Sequence, residues 1–254
     1  MMRRRLIGGM QRLLGAVRSA PLAARFTLPA DEPLSTLPAL LFDTETTGLN
    51  VRRDRLVSLG GLACHGPEPQ DLPPLDFLVH PGMKIPPTAT AIHGISDAMV
   101  ATAPSLPLVW PSLQLSWQGR VMIGHNIAYD LALLHHEAER HRLPFHPPAA
   151  ALDLGLLYAG LKPRAATITL EHVATEFGIS VNGRHTALGD AEACLGIWRH
   201  MLPALTRIGV ATLGGAQALM QKQRDILHGQ GNAGWAIEML LPHGHSHSTR
   251  SPHG

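Results

Sequence analysis

The stretch LLFDTETTGLN, residues 40–50, ends an apolar run with two acids, Asp43 and Glu45, two residues apart. A short apolar run bounded by turn residues predicts a buried strand. Because side chains alternate along a strand, both carboxylates point to the same side of the sheet. At an effective dielectric constant near 20, two like charges about 4 Å apart repel by roughly 4 kcal/mol. The sequence therefore predicts that protonation or a bound cation relieves this pair.

Two later segments also place acids or a histidine where an apolar element begins or ends. Asp130 follows the run RVMIGHN, and His185 and Asp190 lie in HTALGDAEA. Taken singly, a first-turn acid favoured by the helix dipole or a surface histidine is the commoner explanation. Taken together, four carboxylates could converge at the carboxyl end of a central strand, where open α/β sheets place their sites. Such an all-oxygen set favours two Mg²⁺ or Mn²⁺ ions, the arrangement that cleaves phosphodiester bonds.

His185 precedes Asp190 by five residues, an offset that does not place both side chains on one helical face. The histidine is therefore expected in the loop before the helix. An imidazole that titrates near neutral pH can accept the proton of an attacking water. This position predicts a general base.

Composition limits the class of protein. The chain has 254 residues, 45% of them hydrophobic, which predicts one main domain with small appendages. Its two cysteines, Cys64 and Cys194, have no metal-ligand spacing, which favours a reduced, cytoplasmic setting over a disulfide framework. No apolar stretch reaches 18 residues, so no membrane span is expected.

Positive charge is concentrated at the N-terminus. The net charge is +2, but six arginines precede the first acid, Asp31. Arg12 and Arg18 interrupt any apolar core of a signal peptide. The arm is interpreted as an amphipathic helix that packs on the domain or a partner. The alternative is contact with nucleic-acid phosphates or an anionic membrane.

Hydrophobic periodicity predicts an α/β fold, a mixed sheet with helices on its faces. Three strand-like runs, ALLFD, RLVSLGGLACH and PLDFLVHP, indicate an antiparallel meander. RVMIGHN then leads into the helix IAYDLALLHHEAERH, and AALDL leads into the helices TLEHVATEFG and ALGDAEACLGIWRHML. Gly178 is the expected end of the first of these two helices.

The last part of the chain has a different character. Beyond Pro203 the pattern is weakly helical, and the tail LPHGHSHSTRSPHG has low complexity. Its histidines could chelate a transition metal, although a disordered tail is favoured. The predicted organisation is an arm and linker (1–35), a main domain (36–205) and a C-terminal extension (206–254).

Three motifs together resemble the DEDDh branch of the DEDD superfamily of 3′-to-5′ exonucleases, which includes the proofreading epsilon subunit of bacterial DNA polymerase III. FDTETTGL matches the first motif, GHNIAYDLALL the second and HTALGDAEA the third, while AIHGISDAMV matches the segment between the first two. The resemblance covers about residues 38–202. It implies a ribonuclease H-like fold with a five-stranded mixed sheet flanked by helices.

The resemblance also implies roles for single residues. The metal ligands would be Asp43, Glu45, Asp130 and Asp190, and His185 would be the general base. The residues that would receive the 3′ nucleotide are Thr46, Thr47, Gly48, Leu49, His93 and Asn126. Alternatively, Asn126 holds the strand-to-helix turn and His93 caps a loop.

Two further positions near these motifs are Tyr129 and Asp153. Tyr129 either stacks on a base or fills the core, and the sequence favours neither. Asp153 is interpreted as a helix N-cap.

The expected function is metal-dependent 3′-to-5′ hydrolysis of DNA from a single-stranded 3′ end, releasing 5′-mononucleotides in proofreading or repair. One alternative is an exoribonuclease that trims RNA ends. Another is a docking subunit of a replication or repair assembly, held through the N-terminal arm or the segment GAQALMQKQRDIL. A metal sensor built on the histidine tail lacks ordered ligand spacing.

Overall fold

A computed structural model describes residues 27–235 and places a single six-stranded sheet at the centre of this part of the chain. The strands are β1 (Pro38–Thr46), β2 (Leu56–His65), β3 (Glu68–Pro69), β4 (Leu75–Leu78), β5 (Val121–Gly124) and β6 (Ala150–Asp153). β1 pairs antiparallel with β2 on one side and parallel with β5 on the other, and β5 pairs parallel with β6. The predicted mixed sheet and antiparallel meander are confirmed.

The outer edge of β2 carries two short strands, β3 and β4. The strand order across the sheet is β3-β2-β1-β5-β6. β4 occupies the same edge as β3, because it pairs with a different part of β2. The sequence analysis did not predict β3, whose two residues are too few to show a periodic pattern.

Nine helices surround the sheet in the described residues. They are α1 (Pro87–His93), α2 (Asp97–Val100), α3 (Leu106–Trp117), α4 (Ile127–His141), α5 (Leu154–Leu161), α6 (Leu170–Glu176), α7 (Ala187–Arg207), α8 (Leu213–Gln221) and α9 (Arg224–Asn232). α6 ends shortly before Gly178, whose φ of 69° is the left-handed conformation predicted for a helix terminus. The segment GAQALMQKQRDIL does not form one helix, because α8 ends at Gln221 and α9 starts at Arg224.

β1 is the central strand, which explains its run of apolar residues. Leu40, Leu41 and Phe42 are buried, so both faces of the strand are covered. α7 packs on β1 and β2, and α4 packs on β1, β5 and β6. Two smaller helices, α1 and α2, cover a separate apolar cluster around Val57. Together these helices leave the carboxyl end of β1 as the place where polar side chains meet.

The C-terminal extension packs on the main domain, since α8 contacts α5 and β6. Cys64 and Cys194 are both buried free thiols. Among the helices of residues 27–235, none combines the length and apolar character needed to cross a membrane. The arginine-rich start of the chain and its histidine-rich end lie outside the described residues. The predictions made for them, and the division into segments 1–35, 36–205 and 206–254, therefore stay predictions.

Candidate active site

Three carboxylates meet at the end of β1. Asp43, Glu45 and Asp190 each offer one oxygen, and these oxygens all lie within 4.8 Å of one another. Asp43 and Glu45 share a side of the strand because they are two residues apart, as the sequence predicted. Asp190 comes from the first turn of α7. The sequence motif and a distant helix thus contribute to one acidic group.

A glycine in the neighbouring strand allows α7 to come this close. Gly60 of β2 pairs with Asp43, so a side chain there would point to the same face of the sheet. A Cβ at this position would lie 2.2 Å from the backbone of Ala187 and Leu188. Only glycine leaves room for the start of α7, and this close packing holds Asp190 beside Asp43.

Asp130 lies next to this group but not within it. Its Oδ1 accepts a hydrogen bond from Thr44 Oγ1 at 2.6 Å. Thr44 lies between Asp43 and Glu45 in the strand, so its side chain points to the opposite face. Asp130 is held beside the strand end, and its charge raises the pKa of Asp43 more than the charge of Asp190 or Glu45 does. The structure thus groups three of the four predicted metal ligands and places the fourth next to them.

Burial raises the pKa values of all four acids, and repulsion from neighbouring acids adds to this at Asp43, Glu45 and Asp130. Burial raises the pKa of Asp43 well above its usual range, and the charges of Asp130, Asp190 and Glu45 raise it further. Burial, followed by the charge of Asp190, raises the pKa of Glu45 to about 7. Burial also raises the pKa of Asp130 to about 7, although the Thr44 hydrogen bond opposes this. The site is thus short of positive charge at neutral pH.

Arg184 supplies part of that charge. Its guanidinium forms salt bridges with Asp190 and with Glu171 of α6. Burial raises the pKa of Asp190, and the charges of Arg184 and His185 lower it. A single arginine cannot neutralise four acids, so most of the negative charge remains uncompensated.

The carboxylate oxygens that Arg184 does not bind are suited to a hard divalent cation. Asp190 is 3% exposed, and its Oδ1 is buried with no hydrogen-bond partner among residues 27–235. A buried carboxylate oxygen without a donor is costly unless a cation meets it. Closely spaced carboxylate oxygens without a cysteine ligand suit Mg²⁺ or Mn²⁺.

His185 lies in the loop before α7, as predicted, and its backbone has a φ of 61°. This left-handed conformation is uncommon for a residue other than glycine. It occurs directly before Thr186, whose side chain caps α7 by accepting a hydrogen bond from Gly189 N at 3.2 Å. The loop is therefore fixed at a position next to Asp190, five residues along the chain.

The turn that follows β1, residues 46–49, is held by a network of hydroxyl groups. Thr46 Oγ1 donates to Gly48 O at 2.7 Å and lies 2.7 Å from the hydroxyl of Tyr129. The Tyr129 hydroxyl also donates to Gly48 O at 2.8 Å, and its ring packs against Trp235 with centroids 5.6 Å apart. Tyr129 thus extends from α4 and stabilises this turn. The sequence alone did not decide between a base-stacking and a core position for this residue.

Asp54 holds the other end of this turn. Its carboxylate accepts hydrogen bonds from Thr47 Oγ1 at 3.0 Å and from Asn50 N at 2.8 Å. A Cβ at Gly48 would lie 2.6 Å from that carboxylate, so a side chain there would displace Asp54 from its bonds to the turn. Leu49 is 80% exposed and points its side chain into solvent beside the acids. An exposed leucine on a rigid turn is available to contact a ligand.

His93 and Asn126 hold backbone near the site. His93 Nδ1 accepts from Ile95 N at 3.0 Å, which leaves the proton on Nε2 to donate to Thr46 O at 3.2 Å. Burial lowers the pKa of His93, consistent with this neutral form. Asn126 precedes α4 with a φ of 56° and makes no side-chain capping bond. His93 therefore braces the turn, and Asn126 shapes the connection from β5 to α4.

Three residues that shape the site were not predicted from the sequence. Gly60 carried a signal, since a glycine inside an apolar strand often marks a close backbone approach. Arg184 directly precedes His185, but nothing local shows that it faces Asp190. Thr44 belongs to the opening motif, yet its bond to Asp130 depends on how α4 packs. Asp153 is a helix N-cap as predicted, accepting from Gly155 N and Leu156 N.

Comparison with known sequences gives a consistent family. The sequence profile of a family described as exonuclease matches residues 40–198. A DNA polymerase III subunit epsilon-like protein of Rhodobacter capsulatus is 35% identical over 196 residues, which cover 76% of this chain and 28% of that protein. The DNA polymerase III subunit epsilon of Treponema pallidum is 26% identical over 164 residues, covering 63% of this chain and 74% of that protein. The chain thus spans less than a third of the Rhodobacter relative.

Solved structures share the fold. Escherichia coli exonuclease I in complex with a dT13 oligonucleotide has a TM-score of 0.59 and 17% identity, covering 68% of this chain and 42% of that one. Exonuclease X in complex with 5′ overhanging duplex DNA has a TM-score of 0.53 and 22% identity, covering 72% of this chain and 99% of that one. At these identities the likeness concerns the fold, which confirms the predicted ribonuclease H-like class.

Proposed function

The chain belongs to the exonuclease family, and we propose that it removes 5′-mononucleotides from the 3′ end of single-stranded DNA during proofreading or repair. The observation that carries the proposal is the group formed by Asp43, Glu45 and Asp190 directly beside the turn at residues 46–49. A phosphodiester placed over that turn would have its reacting phosphorus next to the carboxylates.

Asp43, Glu45, Asp130 and Asp190 would hold two Mg²⁺ or Mn²⁺ ions. When bound, such a pair lowers the pKa of a water and stabilises the attacking and leaving oxygens of the displacement. The buried free oxygen of Asp190 and the raised pKa values of Asp43 and Glu45 support this assignment. Asp130 completes the set, with Thr44 fixing its orientation.

His185 takes the proton of the attacking water at its imidazole ring. Its half-buried side chain belongs to the fixed loop that lies beside Asp190. General base catalysis of this kind contributes about 10²- to 10⁴-fold to the rate. The left-handed backbone at His185 supports a functional placement, because such conformations cluster at active sites.

The turn after β1 receives the terminal nucleotide. Thr46 and Thr47 are fixed by Tyr129 and Asp54, so the backbone is rigid before substrate arrives. The exposed side chain of Leu49 packs on the terminal base. His93 and Asn126 support the same pocket through the backbone. A preformed pocket of this kind reduces the entropy lost on binding.

The names of similar proteins support the substrate and the setting. Two relatives are described as epsilon or epsilon-like subunits of DNA polymerase III, which supports a role beside a polymerase. The exonuclease I structure holds a thymidine oligonucleotide, which supports a single-stranded DNA substrate. Two buried free cysteines support a cytoplasmic setting.

The experiment that tests this function compares four substrates that are labelled at the 5′ end. They are single-stranded DNA, duplex DNA with a matched 3′ end, duplex DNA with a mismatched 3′ end, and single-stranded RNA. With Mg²⁺ present, we expect a ladder of shortened labelled strands, fastest on single-stranded and mismatched DNA. An Asp43→Asn preparation purified in parallel controls for contaminating nucleases.

Other results would contradict particular parts of the proposal. Immediate release of the 5′ label would show that degradation starts at the 5′ end. Faster shortening of RNA than of DNA would replace the substrate by RNA and favour an exoribonuclease. Equal cleavage by Asp43→Asn, or full activity in EDTA, would remove the proposed metal site.

A further inference from the structure

The loop between β1 and β2 carries three arginines within four residues, Arg52, Arg53 and Arg55. It contacts the far end of α4, where Arg140 Nη2 donates a hydrogen bond to Arg52 O at 2.7 Å. Arg55 turns back along its own loop and donates to Arg53 O and Asp54 O. Arg55 and Arg140 thus hold the backbone of this loop through its carbonyl groups.

This arginine loop, residues 52–55, is joined directly to the turn that follows β1. Thr47 N donates to Arg55 O at 2.9 Å, and Arg55 N donates to Thr47 Oγ1 at 3.0 Å. Asp54 bonds the same turn through both carboxylate oxygens. The position of the loop is therefore fixed relative to the acidic group.

The acids around the loop are mostly engaged elsewhere. Both oxygens of Asp54 bond the turn, and Glu137, 2% exposed, pairs with Arg140. Glu139 is exposed, and the charge of Arg52 acts on it. Its carboxylate oxygens lie 3.4 Å from His135 Nε2 and 2.9 Å from His136 Nδ1. Positive charge therefore predominates on the outer surface of the loop.

Arg52 and Arg53 differ from the other two arginines of this region. Both are exposed, and within residues 27–235 neither guanidinium forms a salt bridge or a side-chain hydrogen bond. Their side chains contribute nothing to the bonds that shape the loop, which use only their backbone N–H and carbonyl groups. Two such guanidinium groups on a rigid backbone are suited to binding phosphate.

We propose that Arg52 and Arg53 bind phosphates of the substrate strand upstream of its 3′ end. This inference rests on the proposed function and adds a second contact region to it. α4 carries Asp130 at its start and Arg140 ten residues later, a separation of about 15 Å along the helix. The arginine loop would therefore meet the strand upstream of the reacting bond, beyond the phosphate next to it.

The test uses the double variant Arg52→Gln/Arg53→Gln in the full chain. Binding of a fluorescent single strand of about 20 nucleotides is measured at several salt concentrations, with Asp43→Asn added to both proteins to prevent cleavage. Each lost phosphate contact lowers the salt slope of log Kd by about 0.7 for a single strand, so we expect a reduction of about 1.4. Between about 50 and 200 mM salt, the affinity advantage of the parent protein should shrink about sevenfold.

A second measurement separates this region from the reaction. Cleavage of a trinucleotide, too short to reach the loop, is measured with Asp43 intact. We expect kcat/KM on this substrate to stay within about twofold of the parent, because the side chains make no bond to the turn. An equal loss on the trinucleotide and the long strand would overturn the proposal, since the loop would then act through the turn.

The matched control is Arg199→Gln/Arg207→Gln, which removes the same charge from α7. Arg207 lies 17 residues beyond Asp190, about 25 Å along the helix. Trp198, beside Arg199, bonds Gly66 O at the opposite end of β1 and β2. The control should keep the salt slope of the parent.

An unchanged slope in the loop variant, or an equal reduction in the α7 control, would overturn the proposal. Failure of the proposed function looks different. The parent chain would then bind DNA in a salt-dependent way but cleave neither the long strand nor the trinucleotide.

Discussion

Asp43 lies near the carboxyl end of β1 and Asp153 ends β6 of the same sheet, yet their surroundings are opposite. Asp153, fully buried at the end of β6, accepts hydrogen bonds from Gly155 N at 2.8 Å, Leu156 N at 3.1 Å and Gln230 Nε2 at 3.5 Å. The Asp43 side chain accepts none from the described residues and instead faces other acids. A buried strand-end acid is a candidate metal ligand only where the protein supplies it with no donors.

The largest expected effect comes from removing the charge of Asp43. We expect Asp43→Asn to lower kcat on single-stranded DNA by about 10³- to 10⁴-fold, because metal stabilisation of the transition state is worth several kcal/mol. In EDTA the same variant should melt about 2–4 °C higher, since one member of a repelling group is gone. Single-turnover cleavage and thermal melting measure the two effects.

A variant that loses activity but gains stability would establish that the acids of this group are arranged for function at a cost in stability. A variant that loses both activity and stability would make Asp43 a structural acid like Asp153.

The next effect concerns His185, which faces the same group without being an acid. We expect His185→Asn to lower kcat by about 10²- to 10³-fold while Mn²⁺ affinity stays within a few-fold, because a general base moves a proton and does not hold the ion. Asparagine tolerates the left-handed backbone at this position better than most residues. Titration calorimetry with Mn²⁺ and cleavage kinetics separate the two quantities.

The control for this variant is His200→Asn, at an exposed position about 15 Å along α7 from Asp190. It should leave both quantities unchanged. Equal losses of rate and Mn²⁺ affinity in His185→Asn would make His185 a ligand.

The pH dependence of folding stability gives a further test of the repulsion within the acidic group. Burial and the charge of Asp190 raise the pKa of Glu45 from 4.5 to about 7 in the folded protein. Between these values the folded state binds more protons than the unfolded chain, so this stabilisation is present below about pH 4.5 and is lost as pH rises through 7. We expect the metal-free protein to lose about 3 kcal/mol over this window through Glu45.

Denaturant unfolding in EDTA at several pH values measures this loss. Glu45→Gln should flatten the dependence, because the amide does not titrate. The same slope in the variant and the parent would mean that the raised pKa of Glu45 contributes nothing to stability.

Local patterns in the sequence were sufficient for every strand except β3, for α4 and for the shared orientation of Asp43 and Glu45. Each of these depends on a period of 2 or of 3.6 residues, which neighbouring residues display. The capping role of Asp153 was also predictable, because an acid before an apolar helical run is a local signal.

The contacts between distant segments were not predictable in the same way. Thr44 can bond Asp130 only because α4 packs against β1. Gly60 brings Asp190 to Asp43 through a backbone contact with Ala187, 127 positions along the chain, and no periodic pattern records that contact. The pairing of Arg184 with Asp190 follows from the same packing. The three acids that the structure brings together were therefore identifiable from the sequence, whereas the distances between them were not.

The smallest expected effect completes the comparison at Asp153. We expect Asp153→Ala to lower the free energy of unfolding by about 2 kcal/mol, because α5 loses its cap and two backbone N–H groups lose their acceptor. kcat at a temperature where the variant is folded should change less than twofold, since this carboxylate faces its own helix and α9. Asp153→Asn, which keeps a capping oxygen, should recover most of the stability. A large loss of kcat in a fully folded Asp153→Asn would place this acid in the reaction and remove the distinction between the two strand ends.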